Sequence, residues 1–326
     1  MLRNSLRTDW RARAGVAVVA SGSLAGALSL AAPAAAVAHQ PVSYSFRTYN
    51  NSSDPSFNQL LGINNGGVIA GYFGSGARKH PNKGYLLSPP YRQADYQVQN
   101  FPGSKQTQVT GLNNKGVTVG FWSSQNKANM ANNNFGFYAV NGTDFHSVSF
   151  PTSDNSTPPV NQLLGVNDND IAVGFYADGQ GNTHGYEYNI SSNSFSDVSV
   201  AGATSVVAAG INNLGNVAGF YTDSGGQTNG FLLRHNGKLI TLAVPGAMMT
   251  QALGVNGLNE VVGFYTDSGG NTHGFTWTQA GGFQTVDNPR GVGSTVVNGV
   301  NNSGDLAGFY TGSVGNTNGF MARPKA

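Results

Sequence analysis

Residues 210–231 read GINNLGNVAGFYTDSGGQTNGF, and this stretch decides the fold because the chain repeats it. Residues 254–275 read GVNGLNEVVGFYTDSGGNTHGF, and residues 299–320 read GVNNSGDLAGFYTGSVGNTNGF. A fourth copy, GVNDNDIAVGFYADGQGNTHGY, begins at residue 165, and the looser copies GINNGGVIAGYF and GLNNKGVTVGFW begin at residues 62 and 111. The leading glycines are 49, 54, 45, 44 and 45 residues apart. Six copies at so regular a period indicate an array of one structural unit.

Each unit contains four short strand patterns. In the fourth unit an alternating run, TSVVAAGIN, precedes an Asn-Asn-x-Gly turn, whose residues accept the positive φ that a tight hairpin needs. The second run, VAGFY, is apolar at successive positions, which a strand needs when both of its faces are covered. The TDSGG loop leads to NGFLL, and KLITLAVPGA completes the unit. Four strands in about 45 residues are typical of one β-propeller blade.

The two ends of the chain predict how the array closes. The sixth copy stops at residues 319–322 and lacks a fourth strand, whereas VSYSFRTYNNSSDPS at residues 42–56 resembles GGFQTVDNPRGVGS at residues 281–294. We therefore predict an all-β fold, a six-bladed β-propeller of four-stranded blades that is closed by the N-terminal strand pairing with the last blade. An open solenoid would need polar caps, and a β-sandwich would not repeat in this way.

The first forty residues predict export. Four arginines precede an apolar run over residues 14–32: Arg3, Arg7, Arg11 and Arg13. After this run, Ala36-Val37-Ala38 forms a small-x-small cleavage site. This order is typical of a secretory signal peptide over residues 1–38, with the uncleaved signal anchor as the alternative. Cleavage after Ala38 leaves a mature propeller domain over residues 39–326 without a further membrane span. The expected location is secreted, extracellular or periplasmic.

Composition excludes several partners and devices. The formal charge is +2, and loss of four arginines and one aspartate with the signal peptide leaves −1, so nucleic-acid binding is not expected. The chain has no cysteine, so an exported protein of this sequence is held by its core and strand pairing alone. Neither the export motif of paired arginines, a phosphate-binding loop nor a catalytic-triad order is present, and no cofactor is predicted.

The repeat motif resembles a known group of proteins. The units G-[IV]-N-N-x-G, G-F-Y and H-G-F look like the bacterial extracellular HAF repeats, with glycine in the middle of His184-Gly185-Tyr186 and His273-Gly274-Phe275. The resemblance covers residues 42–322. It implies a bacterial origin, export and a propeller-like fold, and it implies no catalytic residues.

Aspartate and histidine recur in the loops between the second and third strands. Asp178, Asp223 and Asp267 supply one carboxylate to each loop, which is too few for calcium, so we interpret them as acceptors for their own turns and predict no metal site. His184 and His273 share a slot that asparagine fills in alternate copies. This exchange favours a structural hydrogen bond to the backbone, with a metal ligand or proton donor as the alternative.

A ring of aromatic residues ends the second strands: Phe73, Trp122, Tyr176, Tyr221, Tyr265 and Tyr310. Packing between blades is the favoured interpretation, and stacking on a sugar or an apolar ligand is the alternative. From this ring, Trp122, Tyr176, Tyr221, Tyr265 and Tyr310 are predicted ligand-binding residues.

Blades one and two depart from the repeat, and they are basic. Residues 39–150 carry eight Lys or Arg against three Asp, whereas residues 151–326 carry five against eleven Asp or Glu. The predicted positive rim consists of Arg78, Lys79, His80, Lys83 and Lys127. Such a rim suits an anionic glycan or surface polymer, although ordinary loop variation would also produce it.

Two functions from different classes remain open at this point. The first is a non-enzymatic extracellular recognition or scaffold module that binds a glycan, envelope material or a protein on the face of these loops. The second is a polysaccharide lyase or hydrolase with one asymmetric site in blades one to three, for which His80, His184, Tyr176 and Lys83 are the candidate groups. Only two glutamates occur, Glu187 and Glu260, which disfavours a paired-carboxylate glycosidase.

Overall fold

A computed structural model describes residues 41–126, 132–152 and 156–325. These residues form 24 strands in six four-stranded antiparallel sheets, which confirms the predicted six-bladed propeller. A single 3₁₀ turn lies at Gln93–Asp95, and no helix in this part of the chain is long and apolar enough to cross a membrane. The predicted signal peptide and Lys127 lie outside the described residues.

The first three blades follow the chain in order. Blade 1 consists of β2 (Asn58–Ile63), β3 (Ile69–Phe73), β4 (Lys83–Leu87) and β5 (Tyr96–Val98). Blade 2 consists of β6 (Gln106–Leu112), β7 (Val117–Ser123), β8 (Phe135–Val140) and β9 (Asp144–Val148). Blade 3 consists of β10 (Asn161–Val166), β11 (Ile171–Ala177), β12 (Thr183–Asn189) and β13 (Ser194–Val198).

The last three blades contain the most regular repeats. Blade 4 consists of β14 (Ala203–Ile211), β15 (Val217–Asp223), β16 (Thr228–Leu233) and β17 (Leu239–Leu242). Blade 5 consists of β18 (Met249–Val255), β19 (Val261–Thr266), β20 (Thr272–Thr278) and β21 (Gly282–Val286). Blade 6 consists of β22 (Thr295–Val300), β23 (Leu306–Thr311), β24 (Thr317–Pro324) and, from the other end of the chain, β1 (Tyr44–Thr48).

The ring closes where the sequence predicts. β1 pairs antiparallel with β24, in a register that sets Tyr44 opposite Pro324 and Thr48 opposite Phe320. Phe46 packs on Phe320 with ring centroids 5.6 Å apart, so the N-terminal strand also contributes to the core. This pairing gives blade 6 its fourth strand. It also covers the outer edge of β24, which could otherwise pair with other chains.

The leading glycines of the repeats form a ring around the axis. A β-carbon placed on Gly62 would lie 3.2 Å from the Cα of Gly111, and one on Gly210 would lie 3.0 Å from the Cα of Gly254. The ring closes at Gly299, whose β-carbon would lie 3.1 Å from the Cα of Gly62. A β-bulge precedes each of these glycines in the first strand. Six inner strands therefore approach backbone to backbone, which excludes any side chain at this position.

The continuous apolar pattern of the second strands has the predicted cause. In β15, Val217 packs into a cluster with blade 3, and Ala218 packs into a cluster with blade 5. Phe220 joins a third cluster, to which five of the six blades contribute. Neighbouring blades thus cover the second strand on both faces, and Phe220 also packs in the cluster that five blades share.

A layer of glutamines lies three residues before the leading glycines, in four of the six blades: Gln59, Gln108, Gln162 and Gln251. Val207 and Val296 take the same place in the other blades and belong to the cluster shared by five blades. The hydroxyl of Tyr72 donates to Oε1 of Gln59 at 2.7 Å. Blades 2, 3 and 5 have phenylalanine opposite, and there the glutamine Oε1 is buried without a hydrogen-bond partner among the described residues.

Candidate functional site

The propeller has two ends, which differ in what they carry. The turn face bears the Asn-Asn-x-Gly turns between first and second strands. The loop face bears the loops between second and third strands and the links from one blade to the next. These links bond to the ends of the second strands, as the backbone N–H of Met248 does to the carbonyl of Thr266 at 2.8 Å. The Asp and His residues of these loops therefore lie on one face of the propeller.

The loop aspartates hold their own turns. Oδ1 of Asp223 accepts from the backbone N–H groups of Gly225 and Gln227, each at 2.9 Å, and Asp178 does the same in blade 3. Hydrogen bonds from Asn271 lower the pKa of Asp267 to about 2. The interpretation of these residues as turn acceptors is confirmed. Within the described part of the chain, no three His, Cys, Asp or Glu side chains gather so that they could hold a metal ion.

The loop histidines bond to carboxylates, so the predicted bond to the backbone is wrong. Nε2 of His184 lies 3.0 Å from Oδ2 of Asp178. In blade 5, Nε2 of His273 lies 3.2 Å from Oδ2 of Asp267, and its Nδ1 lies 2.7 Å from Oδ2 of Asp287 in the link to blade 6. Burial lowers the pKa of His273, but the hydrogen bonds to Asp287 and Asp267 outweigh it, so this pKa is raised above its usual 6.5.

The aromatic ring is mostly packed between blades. Phe73, Trp122, Tyr176, Tyr221 and Tyr265 are partly buried within inter-blade clusters. Tyr310 is 3% exposed, and its hydroxyl is bonded to Thr48 at 2.9 Å. These positions fit the interpretation of the aromatic residues as packing between blades. The ligand-binding role of these residues stays a prediction.

Tyr176 and Trp122 already have ring partners. Tyr176 stacks with Phe150 at 4.4 Å and with His184 at 4.9 Å between ring centroids. Trp122 stacks on Phe101 at 4.4 Å with an interplanar angle of 1°. The indole Nε1 of Trp122 donates to Ser147 Oγ at 3.2 Å. A sugar ring would therefore find these aromatic faces largely occupied.

The predicted basic rim lies around the loop between β3 and β4 of blade 1. Arg78 and Lys79 are exposed on the hairpin between β3 and β4, and Asn126 of blade 2 donates to the carbonyl of Arg78 at 3.1 Å. Lys83 Nζ donates to the carbonyl of Lys105 at 3.4 Å, which brings an exposed lysine that sequence analysis missed into the same patch. We call Arg78, Lys79, Lys83 and Lys105 the basic patch.

The members of the basic patch form no ion pairs within the described part of the chain. Among the described residues, no carboxylate lies within 4 Å of any of its four members. His80 is different, because its Nδ1 lies 2.7 Å from Oδ2 of Asp54. Lys105 is tied to the end of β7 by a 2.8 Å bond from its N–H to the carbonyl of Ser123, which places it beside Trp122.

The four candidate catalytic groups do not form one cluster. His184 and Tyr176 stack in blade 3, whereas His80 and Lys83 belong to blade 1, with blade 2 between them. Burial raises the pKa of both glutamates, but Glu187 lies in blade 3 and Glu260 in blade 5. The two glutamates therefore do not form the carboxylate pair that a glycosidase places on either side of the scissile bond.

The turn face contains a closed ring of hydrogen bonds. The first asparagine of each turn donates from Nδ2 to the backbone carbonyl of its counterpart in the next blade, at 2.9–3.3 Å: Asn64, Asn113, Asn167, Asn212, Asn256 and Asn301. Five of the six also accept, through Oδ1, the amides two and four residues later in their own turns. One side chain thus closes a turn and joins two blades.

The second residue of each turn builds an outer ring that is interrupted once. Asn302 donates its backbone N–H to Oδ1 of Asn65 at 2.9 Å, and the same bond joins most neighbouring blades. In blade 5 the position is Gly257, which has no side chain to accept from Asn213. In blade 3 it is Asp168, which accepts from the side-chain amides of Asn114 and Asn213 at 2.8 and 2.7 Å.

These rings surround a cavity of about 100 Å³ on the axis. Aliphatic residues that follow the leading glycines line it together with both asparagine rings. Sequence analysis missed this site, since it interpreted Asn-Asn-x-Gly only as a tight turn. The signal was nevertheless there: an asparagine follows every inner strand, and in four of the six blades a second asparagine comes directly after it.

Among the comparisons with known proteins, one with a TM-score above 0.5 supports the fold. No family model matches this chain, and no curated protein matches it, so the resemblance to HAF repeats stays a prediction. A putative TolB from Agrobacterium tumefaciens is 10% identical, with a TM-score of 0.55 over 88% of this chain and 100% of that one. Aleuria aurantia lectin in complex with Fucalpha1-6GlcNAc is 10% identical, with a TM-score of 0.47 over 82% and 91% of the two chains. A polysaccharide lyase, an ulvan lyase, is 13% identical, with a TM-score of 0.43 over 82% and 78% of the two chains.

Proposed function

We propose that this chain is an exported, non-enzymatic recognition module that binds an anionic glycan or envelope polymer on its loop face. The observation that carries the proposal is the basic patch, four cations from two blades with no carboxylate partner among the described residues. Uncompensated charge of one sign raises the local concentration of an oppositely charged ligand and accelerates its binding.

The rest of the loop face supports this choice of position. Blades 3 to 5 carry Asp178, Asp223 and Asp267 at the corresponding loops, and Asp287 lies in the link between blades 5 and 6. An anionic polymer would be repelled there and attracted to blades 1 and 2. The rings of the turn face consist mostly of neutral amides, with Asp168 as a charged member.

The proposal requires export, for which the sequence of the first 38 residues is the support. We expect the exported protein to begin at His39. Mass spectrometry of the protein recovered from the medium or the periplasm measures this directly. An intact Met1 terminus would contradict export by cleavage.

Binding is tested with a glycan array probed with the mature chain, followed by titration of any acidic ligand at two salt concentrations. Affinity is expected to fall as salt rises, because exposed charges are screened over about 8 Å at physiological ionic strength. Arg78→Ala with Lys79→Ala is expected to weaken binding about fivefold to tenfold. The matched control, Arg234→Ala with Lys238→Ala, removes two cations from the turn face and is expected to leave affinity unchanged. Equal losses in both variants would contradict a site on the basic patch.

A polysaccharide lyase or hydrolase is the second candidate, and blade 3 favours it because His184 stacks with Tyr176 and bonds to Asp178. A histidine held by a carboxylate can move a proton. Blade 5 repeats the trio as Tyr265, His273 and Asp267, whereas blades 4 and 6 have asparagine in place of histidine. Depolymerisation of an acidic polysaccharide that His184→Asn abolishes would establish the enzyme and displace the binding module.

A further inference from the structure

The axial cavity of the turn face carries hydrogen-bonding groups that the fold does not use. Its rim consists of the second residues of the six turns: Asn65, Asn114, Asp168, Asn213, Gly257 and Asn302. Within the described residues, the Nδ2 groups of Asn65 and Asn302 have no acceptor, although the Oδ1 atoms of both accept from a neighbouring blade. These two amides therefore offer donors to a ligand on the axis.

Asp168 provides the opposite character across the rim. Its Oδ1 accepts from the N–H of Asn114 at 2.7 Å, and its Oδ2 accepts from the side-chain amides of Asn114 and Asn213. A carboxylate has about four acceptor sites, so one remains. Burial alone would raise the pKa of Asp168, but these hydrogen bonds lower it, so the group is ionised at neutral pH.

This combination selects the charge of a ligand. An anion would meet the ionised Asp168 and is disfavoured. A cation would meet a carboxylate that three N–H donors and the nearby Lys115 already stabilise, so its gain is small. A neutral molecule with several hydroxyl groups fits both features, because each hydroxyl donates to an acceptor and accepts from an amide.

The inner wall of the cavity suits the same class of ligand. Six aliphatic residues line it beneath the amides: Ile63, Leu112, Val166, Ile211, Val255 and Val300. They offer apolar contact to the C–H groups of a sugar or polyol. A cavity of about 100 Å³ has room for roughly seven to ten water-sized spheres, which matches a small polyol or the end of a sugar chain.

We propose that the axial cavity of the turn face is a second binding site, which takes a neutral polyhydroxyl ligand, either a free polyol or the terminal sugar of a glycan. Asn65 and Asn302 donate to its hydroxyls, and Asp168 accepts from one of them. The opening at Gly257 interrupts the outer ring and leaves space on the rim. This site lies on the face opposite the basic patch and is independent of the proposed function.

The experiment is ligand-observed saturation-transfer NMR on the mature chain with four neutral probes: sorbitol, myo-inositol, D-glucose and maltotriose. Saturation transfer to at least one probe is expected, with affinity that does not change between low and high salt. Stronger transfer to sorbitol identifies a free polyol, and transfer confined to the terminal ring of maltotriose identifies a chain end. No transfer to any of the four probes would overturn the proposal.

Two variants test the position of the site without dismantling the ring. Gly257→Asn supplies the acceptor that Asn213 lacks and fills the opening, so it is expected to weaken binding at least tenfold while the melting temperature holds or rises. Asn65→Asp keeps the Oδ1 acceptor and removes the two donor hydrogens, and a similar loss is expected. Gly225→Asn, in an exposed turn of the loop face, is the matched control and is expected to bind normally. Unchanged binding in both turn-face variants would overturn the site, and the basic-patch variant is expected to bind the neutral probes like the unmodified chain.

Discussion

The two faces of this propeller use the same local device under opposite conditions. Asn212 on the turn face and Asp223 on the loop face lie in one blade, and each side chain accepts the amides two and four residues later. Asn212 is 4% exposed and also bonds to blade 5, whereas Asp223 is partly exposed and bonds within its own loop. The sequence of a turn that bonds to the next blade is constrained by that blade. The sequence of a loop whose hydrogen bonds are internal is free to vary.

This contrast explains where the repeat varies. The turns keep asparagine at the first position in all six blades, because each side chain bonds to the next blade. The loops range from TDSGGQ in blade 4 to GSGARKHPNK in blade 1. Charge and length vary among the loops, so the loop face is where recognition of an anionic polymer is expected.

The largest expected effect is at the ring of leading glycines. Gly210→Ala would place a β-carbon 3.0 Å from the Cα of Gly254 and the carbonyl of Leu253, and neither backbone group can move away easily. We expect a loss of about 3 kcal/mol in the free energy of unfolding. Gly225→Ala on the loop face, where the nearest atom is 3.3 Å away in the Asp223 side chain, is expected to cost less than about 1 kcal/mol. Chemical denaturation of both variants measures this, and equal losses would remove the distinction between the faces.

The next effect compares the two turn acceptors directly. Asn212→Ala leaves the buried amide of Asn216, the buried carbonyl of Asn256 and the part-buried amide of Leu214 without their partner. A loss of about 2 to 3 kcal/mol in unfolding free energy is expected. Asp223→Ala removes the same turn bonds where water can replace them, and about 0.5 to 1 kcal/mol is expected. A loss for Asp223→Ala as large as that for Asn212→Ala would contradict the comparison.

A smaller effect on stability is expected in the glutamine layer between the faces, where the same Phe→Tyr change is compared in blades 5 and 4. Phe264→Tyr adds a hydroxyl opposite Gln251, whose amide atoms are buried without a partner among the described residues, as Tyr72 does for Gln59. We expect it to be neutral or stabilising. Phe220→Tyr adds the same hydroxyl opposite Val207 and is expected to cost about 1 to 2 kcal/mol. Thermal unfolding of both variants gives the difference, and an equal cost would show that the glutamines do not accept the new hydroxyl.

The smallest expected effect is the pH dependence of the loop face. The pKa of His273 is raised in the folded protein, so its carboxylate partners stabilise the fold fully below the unfolded pKa of about 6.5. That contribution is lost as pH rises through the raised pKa. The difference in melting temperature between the unmodified chain and His273→Asn is therefore expected to be greatest in mild acid and to shrink in alkali. Repeating the pair in a background with Asp267→Asn and Asp287→Asn is expected to abolish the trend, and a trend that persists there would rule out these carboxylates as its source.

Much of the architecture followed from local patterns. The glycine spacing indicated six blades, and the missing last strand with the similar N-terminal segment indicated the closure that β1 and β24 make. The loop face was predictable as well, because strand direction alternates and therefore brings the Asp and His loops to one end. The predicted partner of the histidines was wrong. Asp178 and Asp267 lie six residues before His184 and His273 in the same loops, and the second carboxylate beside His273, in the link to blade 6, is 14 residues away in the chain.

By itself, the sequence determined the number of blades, the strands within them, the pairing of the two chain ends and the unequal charge of the loops. Those features depend on the repeat period and on composition, and both can be read along the chain without knowledge of which residues meet in space. Only the tertiary structure decided that the asparagines form two rings, that Lys105 joins the basic patch and that Asp168 and Gly257 border one cavity. The bond from Asn301 to Asn64 spans 237 residues, and the ring that it completes exists only when all six inner strands meet at the axis.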